Sequence, residues 1–381
     1  MEKQVKRKKK NENLKSGDFL LVLFTMILVL FGLIMVFSAS YYYSISHSGS
    51  PYSYLLKQGM WIVVGFVFMM LGATVDYRKY NSKFALIALG ISFVLLLLLM
   101  TPLGVTTNGA TRWIKLGPVT VMPGELAKLA VIVFTAAFLS RDTRRIRSFF
   151  RGILPLLLVA AVFGGLIMKQ PNLSTAITVC GIIFSMMLVA GLKWRYCIGA
   201  VGAGALGVVA ILMTNNGHWH KRLTSFMDPF ADPLGDGYQV VQSLLALGSG
   251  GLTGVGLGKS VQKNLYLPEP QNDFIVAIIG EELGFIGLMV LLAIYCLFIW
   301  RGIHIALNAP DQFGMLLASG IVLMVAIQVI LNIAVVTSSM PPTGINLPFI
   351  SYGGNALLIF MFSVGVLINI SRHEIRNTGV E

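Results

Sequence analysis

Charged residues are scarce in this chain of 381 residues, of which only 12% are Asp, Glu, Lys or Arg. A water-soluble domain carries about 25% charged residues. Apolar residues instead make up 56% of the sequence, and the mean hydropathy is +0.78. This composition excludes a soluble globular enzyme and predicts a protein that crosses a membrane several times and exposes little mass to water.

Cysteine and acidic residues are also few. The three cysteines, Cys180, Cys197 and Cys296, lie in apolar stretches, which argues against a disulfide framework and a cysteine-based metal site. With 16 acidic against 29 basic residues the net charge is +13, and several basic residues crowd positions 1–18. No folded basic surface follows this tail, so we expect no nucleic-acid binding; the tail is instead typical of an orientation signal beside a membrane span.

Apolar segments long enough to cross a bilayer, which takes about 17–25 helical residues, recur along the chain. They predict an all-α, polytopic integral membrane protein with about ten transmembrane helices. The predicted spans cover residues 19–40, 54–74, 84–101, 124–140, 152–168, 172–191, 196–214, 274–300, 312–338 and 347–370.

The positions of Lys and Arg predict how these spans are oriented. Loops rich in Lys and Arg face the cytoplasm, and most of the 29 basic residues fall inside if both termini are cytoplasmic. We therefore expect a basic cytoplasmic tail over 1–18, a ten-span membrane domain over 19–370 and a cytoplasmic C-terminal tail over 371–381. The one long loop, about 215–273 between spans 7 and 8, then faces outward, and we expect the chemistry there.

Asp273 is the strongest local candidate for catalysis. It stands at the mouth of a predicted span, directly before the apolar run that begins at Phe274. Two roles fit this position. An aspartate caps a helix N-terminus well, and a carboxylate half-buried against apolar side chains has a raised pKa that suits a general base. Glu281 lies eight residues further along the same helix, so we expect it to line the same cavity.

A second charged element opens the predicted span 124–140. Pro123 suits the first turn of a helix, and Glu125 stands three residues before Lys128, a spacing that allows an ion pair on one helix face. The pair either neutralises two charges near the membrane or forms part of an outward-facing cavity, and the two roles are compatible. Arg112 and Lys115 lie in the polar stretch just before this span.

Glycine and proline interrupt the apolar pattern in two outer segments. Residues 254–260, which include Lys259, resemble a phosphate-binding loop, but Thr253 replaces the first glycine of that motif. A tight re-entrant turn near the membrane explains these glycines better. Residues 340–355 also resist regular helix, and irregular backbone at membrane depth is tolerated only where it is buried in protein or lines a cavity.

Six segments together resemble the SEDS family (shape, elongation, division and sporulation). They are GATRWIKLG from Gly109, PGELAKL from Pro123, QPNLSTA from Gln170, GYQVVQSLLALGSGGLTGVGLGKS from Gly237, LYLPEPQNDFIVAIIGEELG from Leu265 and PPTGINLPFISYGGN from Pro341. The resemblance covers nearly the whole chain, about residues 18–372. The segments from Gly237 and Leu265 are closest to the FtsW/SpoVE branch of the family, with the RodA branch second.

The resemblance implies a polymerase of lipid II, the undecaprenyl-pyrophosphoryl disaccharide-peptide. It also implies two kinds of partner, a class B penicillin-binding protein and other division or sporulation membrane proteins. The family's essential aspartate matches Asp273, and its charged pair matches Glu125 and Lys128. Two positions depart from the family pattern, because Gly124 stands where serine is common and Asn172 stands where aspartate is common. An amide cannot act as a base, so no catalytic role is carried over to Asn172.

The reaction implied by the resemblance is an inverting glycosyl transfer at the outer membrane face. Asp273 would take the proton from the acceptor sugar hydroxyl, and the diphosphate leaving group would need positive charge rather than an acid partner. The candidates for that charge are Arg112, Lys115, Lys128, Lys259 and Lys263, or a divalent cation such as Mg²⁺ or Mn²⁺.

Two alternative functions remain open from the sequence alone. One is a transporter that flips lipid II across the bilayer, and the other is a non-catalytic scaffold for division proteins. A transporter would carry polar groups through the full membrane depth. Here the polar clusters gather at the outer ends of the predicted spans, which favours the polymerase.

Overall fold

The computed structural model describes residues 16–107, 110–117, 119–142, 145–196, 199, 226–235 and 237–373. Most of these residues are helical. The α-helices are α1 (Phe19–Ser48), α2 (Ser53–Thr74), α3 (Lys83–Leu98), α4 (Pro123–Ser140), α5 (Leu154–Met168), α6 (Leu173–Val189), α7 (Tyr238–Gly250), α8 (Ile275–Leu307), α9 (Gln312–Val336) and α10 (Gly354–Arg372). Single 3₁₀ turns cover Tyr77–Tyr80 and Arg145–Arg147, and a π-helical turn at Phe149–Ile153 leads into α5.

The helices follow the predicted spans. Seven are long and apolar enough to cross a membrane, and two shorter apolar helices, α3 and α6, fall where spans were also predicted. The last predicted span is wrong at its start, because α10 begins at Gly354 and not at residue 347. The predicted span 196–214 lies outside the described residues except for residues 196 and 199, so the total of ten spans stays a prediction.

Local signals in the sequence set several helix ends. Asp18 caps α1 by accepting a hydrogen bond from the Leu21 amide at 2.9 Å. Pro123 occupies the first turn of α4, as the sequence predicted. Asn172 caps α6 by accepting a hydrogen bond from the Thr175 amide at 3.2 Å, so this asparagine has a structural role at the turn.

A small sheet adds to the predicted all-α class. Strands β1 (Gly104–Thr107), β2 (Ala110–Leu116) and β3 (Val119–Val121) form an antiparallel sheet in that order between α3 and α4. Valine, threonine and isoleucine are frequent in these strands and favour extended backbone. The buried side chain of Ile114 fixes β2 against the helices, and the same strand carries Arg112.

Close backbone contacts hold α2 against α10. A β-carbon on Gly72 of α2 would lie 2.5 Å from the carbonyl oxygen of Phe362. A β-carbon on Gly365 of α10 would lie 2.1 Å from the carbonyl oxygen of Met69. Small residues of this kind let membrane helices approach until their backbones are in contact. The packing fixes the position of the first turn of α10 relative to α2.

A kink at Gly284 breaks α8, since the φ of 67° and ψ of −168° there are not helical. The glycine-rich segment 251–256 runs beside this kink. Two of its amides donate hydrogen bonds to the carbonyls of Glu281 and Glu282 at 2.9 and 3.0 Å, and two amides after the kink donate back at the same distances. The backbone amides and carbonyls that lose their helical partners at the kink therefore have hydrogen-bond partners within the protein. Such partners are required where a chain passes through the apolar part of a membrane.

Gly250→Ala is expected to destabilise the protein by about 1–3 kcal/mol, the usual cost of overpacking. A β-carbon there would lie 2.0 Å from the carbonyl oxygen of Gly280, where α7 contacts α8. The apparent melting temperature of the detergent-solubilised protein measures the effect. Gly248→Ala is the matched control, because it lies in the same helix with nothing within 4 Å of the new β-carbon. Equal melting of the two variants would contradict the close contact.

Polar contacts also join the helices at the end of the bundle that was predicted to be cytoplasmic. Arg301 of α8 forms an ion pair with Asp18 at 2.7 Å. The Tyr77 hydroxyl donates to the Asp311 carboxylate, and the Tyr77 amide donates to Asn369 of α10 at 2.9 Å. Because α10 runs from Gly354 to this end, its N-terminus lies at the opposite, predicted outer end.

Candidate active site

A polar pocket of about 520 Å³ opens at the predicted outer end of the bundle. The sheet, the irregular segment 340–355 and the residues before α8 all contribute to its wall. The charged and polar residues that line it are Arg112, Thr120, Glu125, Gln239, Glu269, Asn272, Asp273, Thr343, Asn346 and Asn355, together with Trp61, Trp113 and Tyr352. Three of the residues predicted to act on substrate, Arg112, Glu125 and Asp273, therefore meet in one cavity.

Asp273 lies in the wall of this pocket, just before α8 begins at Ile275. A buried amide on α9 fixes its backbone. Nδ2 of Asn332 donates to the carbonyl of Asp273 at 2.8 Å and to the carbonyl of Ile345 at 2.6 Å. One side chain thus ties the start of α8 to the irregular segment 340–355.

Of the two roles predicted for Asp273, helix capping is not the one seen. Phe274 occupies the N-cap position of α8, and no side chain in the described part of the chain caps that end. The carboxylate instead lies against Gly344, where a β-carbon would be only 2.5 Å from Oδ2. The absence of a side chain at this position makes room for the carboxylate within the pocket.

The pKa of Asp273 is raised to about 6. Burial is the largest cause, the nearby Arg112 guanidinium lowers the pKa, and the Glu269 carboxylate raises it. A carboxyl group of this pKa is ionised at neutral pH and binds a proton more strongly than an ordinary aspartate. Both properties are those of a general base.

Arg112 reaches the pocket from β2 and is held by the turn at residues 170–172. Its Nη2 donates to the carbonyl of Pro171 at 2.9 Å. Burial lowers the pKa of Arg112, while the carboxylates of Asp273 and Glu269 raise it. The Nε atom is buried and has no hydrogen-bond partner among the described residues. The guanidinium therefore keeps a donor available beside Asp273.

Glu125 and Lys128 form the predicted ion pair on α4. Nζ of Lys128 lies 2.7 Å from Oε1 of Glu125, and it also donates to Gln328 of α9 at 3.1 Å. Both side chains are buried, at 8% and 3% exposure. Oε2 of Glu125 has no partner among the described residues, and Glu125 lines the pocket. The pair thus neutralises a buried lysine and places a carboxylate oxygen at the cavity wall.

Two predicted cations are on the surface instead. Lys115 is exposed on β2, Lys259 is exposed just after the glycine-rich segment 251–256, and neither lines the pocket. The position of Lys115 follows from the alternation of side chains along β2. Residues an odd number apart point to opposite faces of a strand, and the side chain of Arg112 is on the face toward the pocket. The structure does not support substrate binding by either lysine in this pocket.

The prediction that Glu281 lines the cavity beside Asp273 is wrong. Glu281 accepts hydrogen bonds from the Ser260 hydroxyl and from the Val261 amide, the latter at 2.8 Å. The residues that follow the glycine-rich segment 251–256 fold back onto α8 near its kink, and their hydrogen-bond donors bind the Glu281 carboxylate. Glu281 is therefore a structural residue that holds this segment in place.

Lys263 is also absent from the pocket. It is buried, at 3% exposure, and forms an ion pair with Glu282 at 2.8 Å. Its Nζ donates as well to the hydroxyl of Ser38 on α1 at 3.1 Å. The positive charge is therefore neutralised between α1 and α8, and it is not available to a phosphate in the pocket.

Several residues in or beside the pocket were not predicted individually from the sequence. Glu269 lines the pocket and accepts a hydrogen bond from Nδ2 of Asn272 at 2.9 Å. Thr343 and Gly344 lie in the irregular segment, and Asn332 lies within an apolar helix. A polar residue inside an apolar span is a functional candidate by itself, and that signal could have identified Asn332.

A metal site is not evident in the part of the chain that the structure describes. There, no group of three or more His, Cys, Asp or Glu side chains is arranged to hold a metal ion. Each of the three pocket carboxylates has a partner or a cation beside it, since Glu125 pairs with Lys128, Asp273 lies beside Arg112 and Glu269 accepts a hydrogen bond from Asn272.

The fold and the pocket define a multi-pass membrane protein with a carboxylate-centred site at one end of a helical bundle. The chain belongs to the cell cycle protein family of FtsW, RodA and SpoVE, whose family model matches residues 18–376. This confirms the family resemblance found in the motifs, over the same part of the chain.

The alignments with similar proteins cover nearly the whole length of both chains. Stage V sporulation protein E of Bacillus subtilis is 42% identical over 359 residues, which are 94% of this chain and 98% of that protein. A probable peptidoglycan glycosyltransferase FtsW of Geobacter sp. (strain M18) is 38% identical over 354 residues, 93% of this chain and 96% of that one. These relatives agree with the FtsW/SpoVE branch favoured by the motifs.

Solved structures share the fold. The rod shape determining protein RodA of Thermus thermophilus matches with a TM-score of 0.69 and 27% identity, covering 95% of this chain and 99% of that one. A chain from a structure on the coordination of polymerization and crosslinking by a peptidoglycan synthase complex matches with a TM-score of 0.79, 27% identity and the same coverage.

Proposed function

We propose that this chain is a peptidoglycan glycosyltransferase that polymerises lipid II into glycan strands at the outer face of the cytoplasmic membrane, in division or sporulation. The observation that carries the proposal is the pocket in which Asp273, with its raised pKa, lies beside Arg112. The names of the FtsW relatives support the activity, and the stage V sporulation relative supports the sporulation setting.

The proposed reaction is an inverting transfer in one step. Asp273 takes the proton from the 4-hydroxyl of the acceptor sugar as that oxygen forms a bond to the anomeric carbon of the lipid-linked donor. The bond from that carbon to the diphosphate oxygen breaks, and the diphosphate leaves with the electron pair. A diphosphate is a weak base, so no second acidic side chain is required, unlike in glycosidases with paired carboxylates.

The remaining pocket residues would bind and orient the substrate. Arg112 places positive charge near the phosphates, and the free oxygen of Glu125 accepts hydrogen bonds from sugar or peptide donors. Lipid tails would explain why the enzyme is built almost entirely from apolar helices. The pocket then has to be open to water for the growing glycan and to the membrane for the polyprenyl chain.

The proposed enzyme has a defined orientation in the membrane and works together with other proteins. The distribution of Lys and Arg favours both termini in the cytoplasm, with the pocket outside. A class B penicillin-binding protein is the proposed partner, together with other division or sporulation membrane proteins. The similarity to a chain of a peptidoglycan synthase complex that polymerises and crosslinks supports such an assembly.

Purified protein supplied with labelled lipid II tests the function against its alternatives. Glycan strands are the expected product, resolved by gel electrophoresis. Translocation of lipid II in proteoliposomes without strand formation would indicate the flippase, and neither activity would indicate the scaffold. The described pocket opens at one end of the bundle, as a polymerase requires, so no structural observation favours the flippase.

The rate of polymerisation is expected to fall as the pH drops through about 6. The active form of Asp273 is the carboxylate, which is present above its pKa of about 6 and protonated below it. The value of kcat/KM should therefore decrease about tenfold per pH unit on the acidic side. Arg112→Gln should move the midpoint to higher pH, because the guanidinium lowers the pKa of Asp273. An unchanged midpoint in that variant would contradict the assignment.

A further inference from the structure

The leaving diphosphate needs more positive potential than the predicted cations supply in the pocket. Of the five proposed from the sequence, only Arg112 lines this cavity. Lys128 is neutralised by Glu125 at 2.7 Å, and Lys263 is neutralised by Glu282 at 2.8 Å. A diphosphate in the pocket would therefore depend on another group for part of its stabilisation.

The first turn of α10 is such a group. Its residues 353–356 line the pocket, and the helix runs for 19 residues from Gly354. No side chain caps this end, and the amides of residues 354–356 have no acceptor among the described residues. The N-terminus of a helix carries partial positive charge and free amide donors, which together bind phosphate groups.

Two glycines keep this helix end uncovered. A β-carbon on Gly354 would lie 2.3 Å from Cε2 of Trp61, and one on Gly353 would lie 2.4 Å from Nδ2 of Asn346. Any side chain at either position would collide with a group that also lines the pocket. The glycines thus let the backbone of the first turn form the cavity wall itself.

A buried hydroxyl independently points to a ligand at this place. Thr343 is only 3% exposed and lines the same pocket, yet its Oγ1 has no hydrogen-bond partner among the described residues. A buried polar group without a partner is destabilising, because it has lost its hydrogen bonds to water and gained none in the protein. A phosphate oxygen would accept a hydrogen bond from this hydroxyl and also from the free Nε of Arg112.

We infer that the N-terminus of α10, Thr343 and Arg112 form a diphosphate subsite that holds the phosphates of a polyprenyl-linked substrate. The inference deepens the proposed function and rests on it for the source of the diphosphate. Of the three carboxylates that line the same cavity, Glu125 pairs with Lys128 and Asp273 faces Arg112. Glu269 accepts a hydrogen bond from the neutral Asn272 amide, and its negative charge is one that the helix end has to outweigh. The helix end stabilises the leaving group as negative charge develops on it.

A matched pair of variants at Asn355 tests the helix end. The Asn355 side chain donates to the carbonyl of Thr120 at 2.9 Å, and both Asn355→Asp and Asn355→Ala lose that bond. Only the aspartate adds negative charge to the first turn. We expect the affinity of purified full-length protein for farnesyl diphosphate to fall about tenfold more in the aspartate variant than in the alanine variant. Equal affinities in the two variants would overturn the subsite.

Thr343→Val and Thr343→Ser form a second pair. Valine matches threonine in shape but lacks the hydroxyl, so it should weaken binding of farnesyl diphosphate several-fold, while serine keeps near wild-type affinity. Farnesyl monophosphate and farnesol, used as reference ligands, should bind progressively more weakly than the diphosphate in the wild type. Equal binding of all three ligands would show an apolar site only and overturn the inference.

An assay of lipid II polymerisation with the same protein preparations tests the polymerase activity separately from the diphosphate subsite. Wild-type protein that makes glycan strands while the Asn355 and Thr343 pairs leave binding unchanged would overturn the subsite alone. The expected binding pattern without any glycan strands would overturn the polymerase and support the subsite. Competition of farnesyl diphosphate with lipid II, with and without a preformed lipid-linked glycan, then assigns the subsite to the acceptor or the donor, and either result supports it.

Discussion

Asp273→Asn is expected to lower the rate of lipid II polymerisation by about 10²–10⁴-fold, the usual cost of losing a general base. Asparagine has nearly the same size but cannot take a proton. The hydrogen bonds from Asn332 reach the backbone carbonyls of residues 273 and 345, so they survive the change. The variant should therefore fold, insert and retain its partner at wild-type levels. Gel analysis of strands made from labelled lipid II measures the loss.

Asp273→Glu should also lose most of the activity. The carboxylate of Asp273 lies so close to Gly344 that even a β-carbon there would be 2.5 Å from Oδ2. One extra methylene has no room along this direction and would displace the carboxylate by over an ångström, which costs about 10²-fold when geometry is demanding. Asp228→Asn is the control, since Asp228 is exposed in the same predicted outer loop (about 215–273) and does not line the pocket. Near wild-type rates for Asp273→Asn would show that the base has been assigned wrongly.

Glu125→Gln is expected to cost roughly 3–5 kcal/mol in stability, because it leaves the buried ammonium of Lys128 without its counter-charge. The new amide oxygen and Gln328 could both still accept hydrogen bonds from Lys128, but neither carries a negative charge. Membrane abundance should fall accordingly, as measured by immunoblotting and by size-exclusion chromatography in detergent. Polymerisation by whatever folded protein remains should also be reduced, since Glu125 lines the pocket.

Adding Lys128→Met to this variant separates stability from function. Methionine is close to lysine in length and carries no charge, so the double variant should recover membrane abundance. The activity per folded molecule should stay low, because the substitution replaces the Glu125 carboxylate, whose Oε2 has no partner among the described residues, with a neutral amide. If activity returns together with abundance, the pair is purely structural and Glu125 does not bind substrate.

The amino-acid sequence by itself determined the class of the protein, most of its helices and the candidate base. Spans depend on long apolar runs, and helix ends depend on local residues such as Asp18, Pro123 and Asn172, all of which act within a few positions of themselves. The Glu125–Lys128 pair was predictable for the same reason, because residues three apart share one face of a helix.

Only the tertiary structure decided which charges enter the pocket. Arg112 and Lys263 lie in predicted outer loops, and Glu281 lies near the start of a predicted span. Nothing in their sequence neighbourhood shows which of these charges enters the pocket. The glycine-rich segment 251–256 pairs with α8 at the Gly284 kink, and the residues that follow it fold back onto α8. Glu281 and Lys263 are therefore occupied by contacts among α1, α8 and residues 260–263. Arg112 is directed at Asp273 by the small sheet and by the carbonyl of Pro171.

The contacts that build the wall of the pocket could not be predicted from the sequence for a related reason. Asn332, Thr343 and Gly344 reach Asp273 or its cavity through contacts between segments that are some 60 or more positions apart from Asp273 in the chain. Such contacts depend on how the helices pack and on which backbone carbonyls the irregular segment leaves open. Periodicity and local motifs carry no information about either, so the cavity had to be seen in the folded chain.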